Sequence, residues 1–213
     1  MNRETGHGSA GRSGGRHDEG WTRAQALRAA AGAGAVFGAG ALAGGWVGPE
    51  TTAGRPSRSL DVRILNFLLV LEELQAAFYG AALRRGALRG ELLRFARTVE
   101  PQEREHVAFV RKMLGGAARP EFQPEVGAAT SDAAHFRAAA IELEEATAAA
   151  YIGQGANLTG PVMRDAARIV AVEARHAAWI RDLARADPAP RAADVARSAE
   201  DTLSLLRQKG FLR

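Results

Sequence analysis

The chain has 213 residues, 46% of them hydrophobic, a formal net charge of +4 and no cysteine. That length supports one well-filled core rather than two, and a cysteine-free chain excludes disulfides, thiolate metal sites and iron–sulfur clusters, so any metal must be held by oxygen and nitrogen. The positive charge sits on arginines scattered among carboxylates, with Lys112 and Lys209 as the only lysines and no basic run interleaved with aromatics, a pattern that does not point to nucleic acid.

Residues 1–20 are Gly, Ser, Arg and His without apolar period, a composition that cannot offset chain entropy by burial and reads as a disordered lead. Next, Trp21-Thr22-Arg23-Ala24-Gln25-Ala26-Leu27-Arg28 runs into an uncharged Ala/Gly stretch, residues 29–49, whose larger apolar members are Val36, Phe37, Leu42, Trp46 and Val47. This order resembles a bacterial export signal of the twin-arginine type, degenerate in having Ala24 at the second arginine position. Thr51-Thr52-Ala53 offers a small-x-small cleavage site, so residues 1–53 are expected to be removed and to leave no membrane span, the alternative being an Ala/Gly-rich anchor or a linker. The expected location is the periplasm or cell envelope, or the cytoplasm if the signal does not act.

From Ser59 onward apolar residues recur at helical spacing and strand-like alternation is missing, so the domain is expected to be all-α: a four-helix bundle over residues 54–190 and a C-terminal helix within 191–213. The first helix starts with Ser59 as N-cap and ends near Arg85, before Gly86; Leu65, Leu68, Leu69, Glu72, Ala76 and Tyr79 share one face. The second covers about Glu91 to Leu114 and stops at Gly115-Gly116. Pro101 inside it predicts a kink or a division into two shorter helices. A long connection through Pro120, Phe122 and Pro124 implies a crossover along the bundle, because antiparallel neighbours need only a few linking residues. The third helix starts at Ser131 or Asp132 and fades around Gly153 and Gly155. The fourth has Thr159 and Pro161 at its start and reaches about Ala186. Beyond Asp187-Pro188-Ala189-Pro190, a fifth from about Ala192 to Gln208 lines up Val195, Ala199, Thr202, Leu203 and Leu206.

One pattern occurs twice on these helices. Leu71-Glu72-Glu73 is followed by Glu103-x-x-His106, and Leu143-Glu144-Glu145 by Glu173-x-x-His176, at nearly the same separation. The only two tyrosines, Tyr79 and Tyr151, stand at the same distance after Glu72 and Glu144, and Val107-Ala108-Phe109-Val110-Arg111 after one histidine matches Ala177-Ala178-Trp179-Ile180-Arg181 after the other. A duplicated helical hairpin accounts for all of this. Residues i and i+3 stand one above the other on a helix, so each Glu-x-x-His pair presents a carboxylate and an imidazole in one direction. With one Glu each from the first and third helices, four carboxylates and two imidazoles converge, a donor set for two iron or manganese ions. On the first helix Glu72 competes with Glu73, and on the third Glu144 competes with Glu142 and Glu145; alignment with Tyr79 and Tyr151 favours Glu72 and Glu144. Glu100, Glu105 and His135 read as solvated. Tyr79 and Tyr151 have two readings: side chains that bond a ligand carboxylate or relay an electron in catalysis, or core aromatics with satisfied hydroxyls.

These residues, together with Leu65-Asn66-Phe67, Ala77-Phe78-Tyr79 and Ala150-Tyr151, resemble the ferritin-like superfamily over about Leu60 to Ala186, in particular exported bacterial ferritin-like domain proteins related to desiccation-associated proteins. The resemblance implies a four-helix bundle with a long crossover and a dimetal centre of two iron ions, or alternatively manganese. Glu103 and Glu173 would bridge; Glu72 with His106 and Glu144 with His176 would be terminal ligands. It implies a protein that oxidises ferrous iron with dioxygen or peroxide, in iron handling or oxidative-stress protection, with homo-oligomers permitted. The alternatives are a non-catalytic, desiccation-protective bundle and a manganese catalase-like activity, because fold alone does not choose the reaction.

Overall fold

Helical apolar spacing becomes five α-helices and no strand among residues 55–212, which the computed structural model describes: α1 (Arg58–Arg85), α2 (Gly90–Leu114), α3 (Ala133–Gly155), α4 (Gly160–Leu183) and α5 (Ala199–Gln208). The expected lead, export signal and cleavage site at residues 1–53 lie outside the described residues. α1 packs most extensively on α2, and α3 on α4, giving two hairpins that meet through α1–α3 and α2–α4 contacts. Among the described residues α1 is the one helix long and apolar enough to cross a membrane, yet 72% of its most apolar window is buried in the bundle. Its composition therefore reflects a position against three neighbours.

The start of α1 differs from expectation. Its N-cap is Ser57, whose hydroxyl accepts from the Leu60 N–H at 3.3 Å, and Ser59 already lies in the helix. At the other end Gly86 adopts φ +66° and returns its N–H to Leu83 O, a left-handed closure that glycine accepts without Cβ strain. α2 is not divided: Pro101 lies inside one continuous helix. Both Pro101 and Arg97, whose carbonyl loses its usual donor, are on the exposed face, where water can serve that carbonyl.

The crossover, residues 115–132, contains single 3-10 turns at Gly115–Ala117 and Ala128–Thr130 and is lashed to α1. Asn66 donates to Ala117 O and accepts from Arg119 N, while the buried Glu73 receives the Arg111 and Arg119 guanidinium groups and the Phe122 N–H. In the first turn of α1 the buried Asp61 accepts from both N–H and hydroxyl of Thr159, the N-cap residue of α4. Asp132, of the two expected candidates, caps α3 through the Ala134 and His135 N–H groups.

The fifth helix begins at Ala199, not Ala192, and Val195 is exposed rather than part of its apolar stripe. The segment before it is held extended because the Arg197 N–H donates to Ala149 O on α3, and Ser198 then caps α5 through the Asp201 N–H. A Cβ at Gly153 would lie 2.0 Å from the Arg197 carbonyl oxygen, so only glycine admits this close backbone approach. Ala199, Thr202, Leu203 and Leu206 are buried as α5 docks on α3. Within the bundle, Phe78 and Tyr79 from α1, Phe95 from α2, Phe136 from α3 and Trp179 from α4 make a layer of ring pairs 5.0–5.9 Å apart. Each pair adds roughly 0.5–1.5 kcal/mol beyond the area it buries.

Candidate metal centre

α1 contributes Glu72 and α3 contributes Glu144; α2 brings Glu103 and His106, and α4 brings Glu173 and His176. All six are buried, the four glutamates completely. His106 Nδ1 lies 3.4 Å from Glu72 Oε2, 3.4 Å from Glu103 Oε2 and 2.9 Å from Glu173 Oε1. His176 Nδ1 lies 3.0 Å from Glu103 Oε1 and 3.5 Å from Glu144 Oε2. The donors form two overlapping groups, Glu72/Glu103/His106/Glu173 and Glu103/Glu144/Glu173/His176, each with ligand atoms within 4.8 Å of one another. Glu103 and Glu173 belong to both groups, the placement a bridging carboxylate needs.

Seven atoms of these six residues are buried without a hydrogen bond: Glu72 Oε2, both Glu103 oxygens, His106 Nδ1, Glu144 Oε2, Glu173 Oε1 and His176 Nδ1. Orphaned buried polar atoms are rare because each costs on the order of 1–3 kcal/mol. Here every one of the six residues supplies at least one. They are ion-contact neighbours rather than well-aligned hydrogen-bond partners, facing one another across a shared centre.

The same crowding perturbs their protonation. Burial, then the charge of Glu173, pushes Glu72 up to about 8; burial, then the charge of Glu103, pushes Glu173 up to about 8. Glu144 is raised as well, by burial and then Glu103. Glu103 goes the other way: burial opposes its ionisation, but the two imidazoles hold it below the usual carboxylate range. Burial also opposes protonation of the histidines, yet Glu103 and Glu144 lift His176 to about 10, and Glu103, Glu173 and Glu72 lift His106 further. Without a cation, protons do part of the work of neutralising the carboxylates.

The competing acids are engaged elsewhere. Glu73 is bound to Arg111 and Arg119, Glu145 to Arg181, and Glu142 to Lys209. Glu100 is half-buried beside Arg104, Glu105 is exposed, and His135 is an exposed partner of Asp132. The tyrosines are fully buried and cross between repeats: Tyr79 donates to Glu144 Oε1 and Tyr151 to Glu72 Oε1. Burial, then the carboxylate each one faces, pushes both phenols well above their ordinary value. Each terminal glutamate thus has Oε1 satisfied by a phenol and Oε2 turned to the centre.

Three polar residues escaped the sequence reading. Gln75 donates to Glu173 Oε2 at 3.2 Å and accepts from Thr147 at 2.6 Å; Gln102 Oε1 stands 2.7 Å from His176 Nε2. Gln75 and Thr147 each lie one turn after Glu72 and Glu144, and that shared offset was the available signal.

An oxygen-rich set with two imidazoles and no thiolate fits two hard or borderline divalent cations, and the seven inward lone-pair atoms supply the donors they require. Among curated proteins no relative matches the chain. The model of the ferritin-like domain family matches residues 60–186, more than half the chain and all of the donors above. The chain belongs to the ferritin-like domain family.

Proposed function

We propose that this protein is an exported dimetal-carboxylate oxidoreductase that oxidises ferrous iron with dioxygen or peroxide, serving iron handling or protection against oxidants. The observation that carries the reading is the convergence of seven unpartnered buried donor atoms from all six motif residues. Glu72 and His106 would hold one ion, Glu144 and His176 the other, with Glu103 and Glu173 shared between them. Two ferrous ions held there would supply one electron each to one oxidant, so that peroxide, taking both electrons and two protons, would leave as two waters.

The chain's own part is positional and electrostatic. Tyr151 and Tyr79 fix Oε1 of Glu72 and Glu144 and aim Oε2 inward. The aromatic layer from four helices keeps bulk water from one side, and the two histidines, the least deeply buried donors, mark the side nearest solvent. Protons held on Glu72, Glu173 and the imidazoles leave as cations enter, so loading is coupled to proton release.

The test is metal content and oxidation by the full chain purified without a histidine tag. Close to two iron ions per chain and ferrous oxidation, both lost in Glu72→Ala and Glu173→Ala proteins that remain folded, support the proposal. Unchanged behaviour in those variants would move the assignment to a structural, stress-protective bundle. Peroxide disproportionation by the manganese-loaded protein without ferrous oxidation would move it to a catalase-like role. Export is part of the same proposal, motivated by residues 1–53; unchanged export in cells with the twin-arginine pathway blocked would remove that route.

A further inference from the structure

The two halves of the centre have the same ligands but not the same support. His176 turns Nδ1 to the carboxylates and its outward Nε2 to the carbonyl oxygen of Gln102 at 2.7 Å, so Nε2–H donates outward and Nδ1 is the nitrogen presented to the centre. His106 also turns Nδ1 inward, yet among the described residues its Nε2 meets no hydrogen-bond partner. The cause is legible in the duplication. Gln102 immediately precedes Glu103, and the residue preceding Glu173 is Val172. Gln102 on α2 reaches across to the histidine of α4; the counterpart on α4 is an aliphatic side chain with nothing to offer the histidine of α2. The side chain of His106 is accordingly the more exposed of the two, 10% against 5%.

A partner on the non-ligating nitrogen fixes the tautomer and ring orientation of a metal-binding histidine and raises its basicity; losing such a partner typically weakens metal binding about 10- to 100-fold. Gln75 is a second departure from symmetry, but it bonds Glu173, which belongs to both donor groups, and so does not select between them. We infer that Gln102 is a positioning residue that makes the Glu144/His176 half the tighter, retained metal position and leaves the Glu72/His106 half as the weaker, exchangeable one. The inference rests on the dimetal reading above.

The experiment is anaerobic titration calorimetry of the metal-free full chain with ferrous iron, joined to ring-nitrogen NMR of the histidines on addition of Zn²⁺, which is diamagnetic. The expected result is two binding steps separated roughly 10- to 100-fold, with the first equivalent of Zn²⁺ shifting His176 before His106. Gln102→Val should merge the steps by weakening the tighter one while keeping two ions per chain. Val172→Gln, which supplies the missing acceptor, should merge them by strengthening the weaker one, a gain that general destabilisation cannot produce. Two equal steps in the unaltered protein, steps that stay separated in Gln102→Val, or His106 responding first would overturn the inference while leaving the dimetal reading intact. Failure of the unaltered protein to take up either ion would overturn both.

Discussion

In the metal-free protein, raising the pH should lower stability, and Glu173→Gln should remove a defined share of that loss. Glu173 is fully buried and its carboxyl is pushed from 4.5 up to about 8. Between those values the folded chain holds a proton that the unfolded chain has released, so stability falls as pH rises. From pH 5 to 6.5 the loss is 1.5 units at 1.36 kcal/mol each, about 2 kcal/mol for one such group. Glu72, raised partly by the charge of Glu173, and Glu144, raised by burial and Glu103, act in the same direction. Glu103 opposes the trend only below the window, because a depressed carboxyl contributes stability above its unfolded value and loses it as pH drops. His176, raised to about 10, contributes stability that is complete below 6.5 and is lost as pH climbs toward 10, so it deepens the decline above the window. Glutamine is nearly isosteric with the protonated acid and its carbonyl oxygen can still accept from Gln75. Urea unfolding in chelator at pH 5, 5.5, 6 and 6.5 should therefore show the variant equal to the parent within about 1 kcal/mol at pH 5 and about 2 kcal/mol more stable at pH 6.5. A parent protein that gains stability across this range, or a variant with the parent's slope, would refute the account of the buried carboxyls.

Loading the centre should reverse this pH trend and stabilise the fold by about 2.7 kcal/mol per ion at a hundredfold excess over Kd; a melting temperature unmoved by iron or manganese would contradict the site. Glu73→Ala should destabilise by about 1–3 kcal/mol, since it removes the acceptor shared by Arg111, Arg119 and the Phe122 N–H, yet leave two ions bound per chain; loss of one ion would transfer the ligand role from Glu72 to Glu73. Tyr79→Phe removes the donor to Glu144 Oε1 and should weaken the ion held by Glu144 and His176 rather than that held by Glu72, at a stability cost of about 1–3 kcal/mol; the affinity change is read by metal titration. Gly153→Ala puts a Cβ 2.0 Å from Arg197 O and should cost about 1–3 kcal/mol while increasing proteolysis between α4 and α5, with metal content unchanged; wild-type protease resistance would show that the close approach is relieved cheaply.

The helices and the convergence of Glu103, His106, Glu173 and His176 are legible because both depend on short-range periodicity: a face that buries Leu68 and Leu71 also buries whatever charge shares it. The choice between Glu72 and Glu73 is only half legible, since adjacent residues on a central helix can both be buried. Both are, and what separates them is Arg119 and Phe122 N–H arriving from the crossover, contacts far apart in the chain. Gln75, Thr147 and Gln102 were missed for a related reason, because an uncharged polar residue in a helix reads as surface until its partner is known. Asp61 in the first turn of α1 accepts from Thr159, a partner 98 residues further along the chain that no local pattern marks. The late start of α5 likewise follows from one long-range bond, Arg197 N–H to Ala149 O, which competes with helix formation over residues 192–198 and leaves no mark on their composition.

The duplication also explains why neither hairpin is a working unit. In α1–α2 alone, Glu72 would lose the phenol of Tyr151, and in α3–α4 alone, Glu144 would lose the phenol of Tyr79. His176 takes its acceptor from the other hairpin, Glu173 takes its amide donor from α1, and each donor group needs a shared carboxylate from each hairpin. Every donor is therefore placed by contacts that cross the seam between the two copies, where the helices contact one another less extensively than within a hairpin. The polar crosslinks and the proposed cations fall at that seam. Metal binding on this geometry couples the hairpins as well as filling a site, so the seam, rather than either hairpin, is the part of the fold whose opening should slow most on loading.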